Sequence, residues 1–461
     1  MSRFARLKSL PFVPPESVFR RIAKERTPAW LDSSLQRAAD GRYSVMACNP
    51  AWIFTAKDDR WTAESRSGGT VNGGSGALTE LDRRIAAEHL APAPKVPDLP
   101  FQTGAIGWLS YDLGRGIETI PAATADDLET PDIHLAWYDE ALVWDHAANS
   151  LWLVSTRSDG ERSILEAALH EPPQVEAPTP PLRDAAESDF TRAEYLAAVG
   201  AIRDAIARGE YYQLNLVQRF SCRVAEDPTD TYLRLRTLNP APFSAFLRTE
   251  SLAVLCSSPE QFVHVGRDGT MQTCPIKGTR PRSNDAAEDA KRCAELLASP
   301  KERAELLMIV DLLRNDLGRV CIPGSVAVPR LHTLESFATV HHLVGEVRGT
   351  LRPGTSCEAL LRAVFPGGSI TGAPKISAMR AIERFERHRR GIAMGSIGYF
   401  SAHGEIDLNI AIRSAVIRHD RAYVSVGAGI VWDSDPAAEY AETLAKASAL
   451  FAALRVQPPP S

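Results

Sequence analysis

Five prolines crowd the stretch 171–189, EPPQVEAPTPPLRDAAESD. They exclude a regular helix or a central strand there, because proline has no amide hydrogen to donate and holds φ fixed. The 461-residue chain therefore divides into a first unit over 1–170, a linker over 171–189 and a second unit over 190–456. At roughly 150 residues per domain, two or three folding units are expected. The first unit reads as strand-rich, with apolar runs at 136–144 and 151–155, a Gly/Ser-rich tip at 67–76 and a second Pro-rich connector at 92–100. In the second unit, Thr191 and Glu194 form a capping box ahead of Tyr195, Leu196, Val199, Ile202 and Ile206, which share one helical face. Strands and helices then alternate without a fixed repeat, so a mixed α/β or α+β architecture is expected.

Hydrophobic residues make up 44% and charged residues 24% of the chain, the balance of a soluble globular protein. Lys and Arg number 52 against 57 Asp and Glu, a net charge of −5. No global positive field exists to hold nucleic acid or an anionic membrane, so neither is expected as a partner. Seven widely spaced cysteines without a C-x-x-C pair read as reduced thiols of a cytoplasmic protein. The N-terminal residues lack the apolar core of a signal peptide, and no apolar run approaches the length of a membrane span.

Several local patterns carry chemistry. Ser299-Pro300 starts a helix that presents Glu302 and Glu305 on one face, and Asp435-Pro436 starts another that presents Glu439 and Glu442, followed by Lys446. Brought together, the two E-x-x-E faces would offer hard oxygen ligands to Mg²⁺; apart, they are solvated helix surface with a Glu442–Lys446 pair. The glycine-rich run 365–375, FPGGSITGAPK, lacks the Lys-Ser/Thr that a nucleotide phosphate loop needs after its last glycine. It is either an anion-binding turn before a helix or a structural turn. VSVGAGI at 424–430 predicts a strand ending in a glycine turn, and the alternation at 406–413 predicts a strand with Arg413 on its polar face. That guanidinium suits a substrate carboxylate or an ion pair with Asp407. Asp268-Gly269 predicts a two-residue hairpin turn, and continuing its register sets Glu260 opposite Lys277, as a surface ion pair or as a proton donor beside a nucleophile. The basic run Arg384, Arg387, Arg389, Arg390 reads as a helix C-terminus complementing the helix dipole, with no catalytic role.

Taken in order, GEYYQLNLVQRF, SSPE, PIKGTRPR, ERAELLMIVDLLRNDLGRV, VHHLVGEV, FPGGSITGAPK, GSIGYF, GAGIVWDSDP and EYAETLAKA resemble the chorismate-utilising enzymes. GAIGWLSYDL at 104–113 extends the resemblance into the first unit. It implies layered β-sheets flanked by helices, the anthranilate synthase component I-like fold. It also implies Mg²⁺ held by Glu305 and Glu442 with help from Glu302 and Glu439, and a chorismate site lined by Gly278, Thr279, His342, Ser369, Thr371, Arg413, Gly427, Gly429 and Lys446. Glu260 would be the acid for the departing C4 hydroxyl. Relatives that add water carry a basic Lys where this chain has Gln213, and those that aminate C2 carry Ala where it has Lys277. The resemblance therefore implies amination of chorismate at C4 by ammonia, to 4-amino-4-deoxychorismate for p-aminobenzoate and folate, with Lys277 attacking C2 as a neutral amine assisted by Arg280 and Arg282. The sequence shows no glutamine amidotransferase unit, so ammonia would come from a separate subunit or from solution, and the resemblance implies a glutamine amidotransferase partner. The alternatives are amination at C2 with pyruvate loss and a catalytically silent tryptophan-binding regulator. Leu31, Asp32 and Ser33 resemble part of a tryptophan pocket found in relatives.

Overall fold

The computed structural model describes residues 4–35, 41–91, 98–158, 160–170, 181–336 and 340–460. Two 12-stranded sheets, antiparallel throughout their ladders, carry most of the chain. They face each other across an apolar layer that includes Ala29, Val45, Val143 and Val254 from one sheet and Ile106, Trp108 and Ile397 from the other. Helices Pro15–Ile22, Pro228–Leu238 and Pro436–Leu454 cover the outer face of the first sheet, around Phe19, Trp30, Tyr232 and Phe246. Helices Ala77–Ala87, Pro300–Gly318 and Cys357–Val364 cover the outer face of the second. The order is helix, sheet, sheet, helix, and strands buried on both sides, such as Leu252–Ser258, are correspondingly apolar and small.

The helix starts follow the sequence. Thr191 and Glu194 close the expected capping box on Arg192–Ala207. The Ser299 hydroxyl accepts from the Glu302 amide, and the Asp435 carboxylate from the Ala438 amide at 2.8 Å. None of the described helices is long and apolar enough to cross a membrane.

Other expectations are corrected. Most of the predicted linker, 171–180, and most of the connector at 92–100 lie outside the described residues; the linker's end forms short strands Arg183–Ala185 and Glu187–Ser188. Both sheets cross the expected boundary. Ala29–Asp32 pairs with Phe243–Arg248, and Gly104–Leu109 pairs with Ser396–Ser401, so the segments before and after the linker build one layered body. The hairpin at Asp268-Gly269 has a three-residue loop: the Gly266 amide donates to the Thr270 carbonyl at 2.8 Å, and Gly269 takes φ +79°. A bulge follows, pairing Gln261 with Cys274, so Glu260 does not face Lys277 in this ladder. Gly427 and Gly429 lie within the strand Arg421–Ile430 instead of in a turn after it. The strand carrying Asp407 ends at Asn409, and Arg413 sits beyond it at φ +50°.

Candidate active site

Lys277 lies on the strand Ile276–Pro281 at the edge of the second sheet, paired with Val340–Thr350. A bulge at Gly278, φ +70°, turns the next residues so that Thr279 Oγ1 meets His342 Nδ1 at 2.8 Å. A side chain at Gly278 would collide with Glu302 Oε2 at 2.9 Å and Leu296 at 2.8 Å, so the glycine lets the strand press against the carboxylate. Across the gap, Gly429 belongs to the first sheet, and a Cβ there would stand 3.6 Å from Lys277 Nζ and 2.5 Å from Gln213 Nε2. The edge strand of the second sheet thus meets an inner strand of the first at Lys277 and Gly429.

Ser369 joins the proposed nucleophile to the proposed acid. Lys277 Nζ donates to its carbonyl at 3.4 Å, while its hydroxyl donates to the Glu260 carboxylate. Burial pushes the Glu260 carboxyl above the usual range, and the Ser369 hydroxyl, the Lys277 charge and the Ile276 amide offset this only in part. Glu260 and Lys277 therefore converge despite the shifted hairpin register. Arg413 lies near Glu260; burial lowers its pKa, and its side chain has no ion pair among the described residues. A buried guanidinium in that state suits a ligand carboxylate. Lys446 Nζ donates to the Gly427 carbonyl at 2.9 Å. The Thr371 hydroxyl turns back onto the carbonyls of Gly367 and Gly368 at 3.0 and 3.2 Å, so it closes the turn and does not face outward. Arg280 and Arg282, expected beside the Lys277 amine, pair with Glu302 at 3.4 Å and Asp289 at 2.9 Å.

The two acidic helix starts converge on Lys301, whose ammonium lies 3.9 Å from Glu305 and 3.6 Å from Glu439. Burial, with Glu302 and Glu439 adding like charge, raises Glu305 to about 7 although Lys277 and Lys301 oppose the shift. Burial likewise raises Glu439. Burial acts the same way on Glu442, but Lys446 at 2.7 Å outweighs it and lowers that carboxyl. Among the described residues no three metal-ligating side chains stand in one ready cluster. Mg²⁺ needs only one or two protein carboxylates beside water and substrate oxygens, and the buried Glu305, raised despite Lys277 and Lys301, fits that demand. Sequence reasoning missed Lys301, although its i,i+4 spacing to Glu305 was a visible signal, and it missed Asn215, whose side-chain amide lies where a Gly427 Cβ would reach it at 2.8 Å.

Leu31, Asp32 and Ser33 line a separate cavity of about 410 Å³ between the sheets, with Tyr43, Phe243 and Asn409. Asp32 accepts from Arg236 at 2.8 Å and Tyr232 at 3.1 Å through Oδ2, while its buried Oδ1 has no partner. Burial raises this carboxyl to about 6.

The chorismate binding enzyme family model matches residues 31–452. Aminodeoxychorismate synthase component 1 of Klebsiella aerogenes is 41% identical over 96% of this chain and 97% of its own. The protein of the same name from Escherichia coli K12 is 43% identical over 77% of each chain. Among solved structures, anthranilate synthase component I from Streptococcus pneumoniae superposes with a TM-score of 0.76 at 34% identity, covering 90% of this chain and 93% of that one.

Proposed function

The chain belongs to the chorismate-binding enzyme family, and from that premise we infer that it aminates chorismate at C4 with ammonia, giving 4-amino-4-deoxychorismate. The observation that carries the choice of C4 is the meeting of Lys277 and Glu260 on Ser369. The Lys277 amine attacks C2 as the C4–O bond breaks, and Glu260, whose carboxyl burial raises above its usual range, gives its proton to the hydroxyl, which leaves as water. Ammonia then bonds to C4 as the C2–N bond to Lys277 breaks; the new C4 ammonium returns a proton to the Glu260 carboxylate, and amine and acid are both restored. Arg413 binds a substrate carboxylate, and the Gly427–Gly429 strand lets the ring approach the backbone closely.

Glu305 and Glu442, with Glu302 and Glu439 beside them, would hold Mg²⁺. Bound there, the ion neutralises a substrate carboxylate and fixes its orientation. Lys301, 3.9 Å from Glu305 and 3.6 Å from Glu439, offsets part of their mutual repulsion. Relatives bear the name component 1, which supports a separate second component, a glutamine amidotransferase supplying the ammonia. Among the described residues no disulfide joins the cysteines, which suits the reducing cytoplasm. The cavity lined by Leu31, Asp32, Ser33, Tyr43, Phe243 and Asn409 is the second candidate site: its mixed polar and apolar walls suit an amino acid such as tryptophan. Mass analysis of products from the purified chain with chorismate, Mg²⁺ and ammonium tests the reaction. The expected product is 4-amino-4-deoxychorismate; anthranilate or unchanged chorismate would reject it.

A further inference from the structure

Arg390 belongs to the basic run that the sequence reads as a helix C-terminus, yet the helix Lys375–Phe385 ends before it, and Arg390 is only 6% exposed. Its guanidinium grips Glu386 with both arms, Nε to Oε2 at 2.9 Å and Nη2 to Oε1 at 2.7 Å. The remaining donors reach two backbone carbonyls, Ile370 through Nη1 and Asn215 through Nη2, each at 2.7 Å. The Tyr111 ring covers the group, its centroid 4.4 Å from Cζ. A buried ion pair is weak evidence for stability, since an apolar pair often serves as well, so its geometry is the informative part.

That geometry points at the reacting groups. Ile370 immediately follows Ser369, whose carbonyl and hydroxyl touch Lys277 and Glu260. The Ile370 carbonyl receives a second donor, Asn215 Nδ2 at 3.0 Å, and the Asn215 amide donates to the Thr371 carbonyl at 2.8 Å. Glu386 also accepts from the Val217 amide at 2.9 Å, tying the same ion pair to the strand Gln213–Arg223 that borders Gly427 and Gly429. One planar, charged fork therefore fixes the turn bearing Ser369 relative to the floor of the site.

We propose that Arg390, oriented by Glu386, is a positioning residue for the amination: by holding the Ile370 carbonyl it sets Ser369, and through Ser369 the relative placement of Lys277 and Glu260. The inference rests on the reaction given above. It requires a guanidinium, because an ammonium cannot fork to a carboxylate while reaching two carbonyls. A displacement of about 1 Å at reacting groups costs on the order of 100-fold in rate.

The test uses the full chain with Mg²⁺ and ammonium, and follows chorismate consumption and product identity separately. Glu386→Gln with Arg390→Met removes both charges, leaves no unpaired ion, and keeps an acceptor for the Val217 amide. The expected result is a cooperatively melting protein whose kcat falls tenfold or more while KM for chorismate stays within threefold. A smaller fall in kcat, or a loss carried by KM, would overturn the proposal. Should the double variant not fold, Arg390→Lys is held to the same criterion. A wild-type chain that consumes chorismate but forms another product overturns the C4 reading and leaves the positioning result standing; one that consumes no chorismate overturns both.

Discussion

Gly429→Ala adds one methyl at the meeting point of the two sheets. The backbone there is open to an L residue, since Gly429 is absent from the positive-φ glycines. The new carbon would stand 2.5 Å from Gln213 Nε2, and ordinary contact begins near 3.4 Å, so the Gln213 amide must withdraw. Gln213 is buried, and forcing such a side chain off its rotamer costs about 0.5–1.5 kcal/mol. The stability loss should therefore stay near 1 kcal/mol, a drop of no more than about 3 °C in melting temperature. The effect on chemistry should be much larger. The methyl would lie 3.6 Å from Lys277 Nζ, in the space the reacting ring needs, and misplacing reactants by about 1 Å costs on the order of 100-fold. Thermal unfolding and steady-state turnover with chorismate and saturating ammonium measure the two quantities. Gly200→Ala is the control: it lies within a helix with nothing close to the added carbon, and should gain about 0.5–1 kcal/mol with unchanged turnover. A Gly429→Ala enzyme turning over within threefold of wild type would refute the placement of the ring against this strand.

Burial raises the Glu260 carboxyl above the ordinary carboxylate range, so turnover that depends on its proton should be present at lower pH and lost as pH rises through its pKa. Glu260→Gln should abolish that basic limb along with most activity; a wild-type profile retained in the variant would remove Glu260 as the acid. Glu305→Gln or Glu442→Gln should raise the Mg²⁺ concentration for half-maximal turnover at least tenfold, with circular dichroism unchanged, and normal activity at limiting Mg²⁺ would remove that residue from the metal set.

The helix starts were legible because their signals are local. Thr191, Ser299 and Asp435 each place an oxygen beside the amide three residues on, and nothing distant alters that. Register was less legible. Moving from a two- to a three-residue loop at 267–269 shifted every later pair, and one ladder bulge then separated Glu260 from the partner that simple counting gave it. The two groups still converge, but through Ser369, more than ninety residues away along the chain. Arg390 was illegible for a related reason. A cation just past a helix has a sufficient local explanation in the dipole, and its burial depends on Asn215, Ile370 and Tyr111 closing over it. Pro-rich punctuation also suggested more separation than exists, because antiparallel pairing across the linker unites both segments in the same two sheets.

The most direct test of the account is the fate of nitrogen when Lys277 becomes alanine. Chorismate and ¹⁵N-ammonium are incubated with wild-type and Lys277→Ala enzyme, and the products are resolved by mass and by the position of the label. If Lys277 bonds transiently to C2 and so directs ammonia to C4, the wild type places ¹⁵N at C4. The variant then loses that route by about 1000-fold or more, in the range enzymes gain from an activated covalent group, with any remaining label appearing at C2. Near-native formation of 4-amino-4-deoxychorismate by Lys277→Ala would contradict the account.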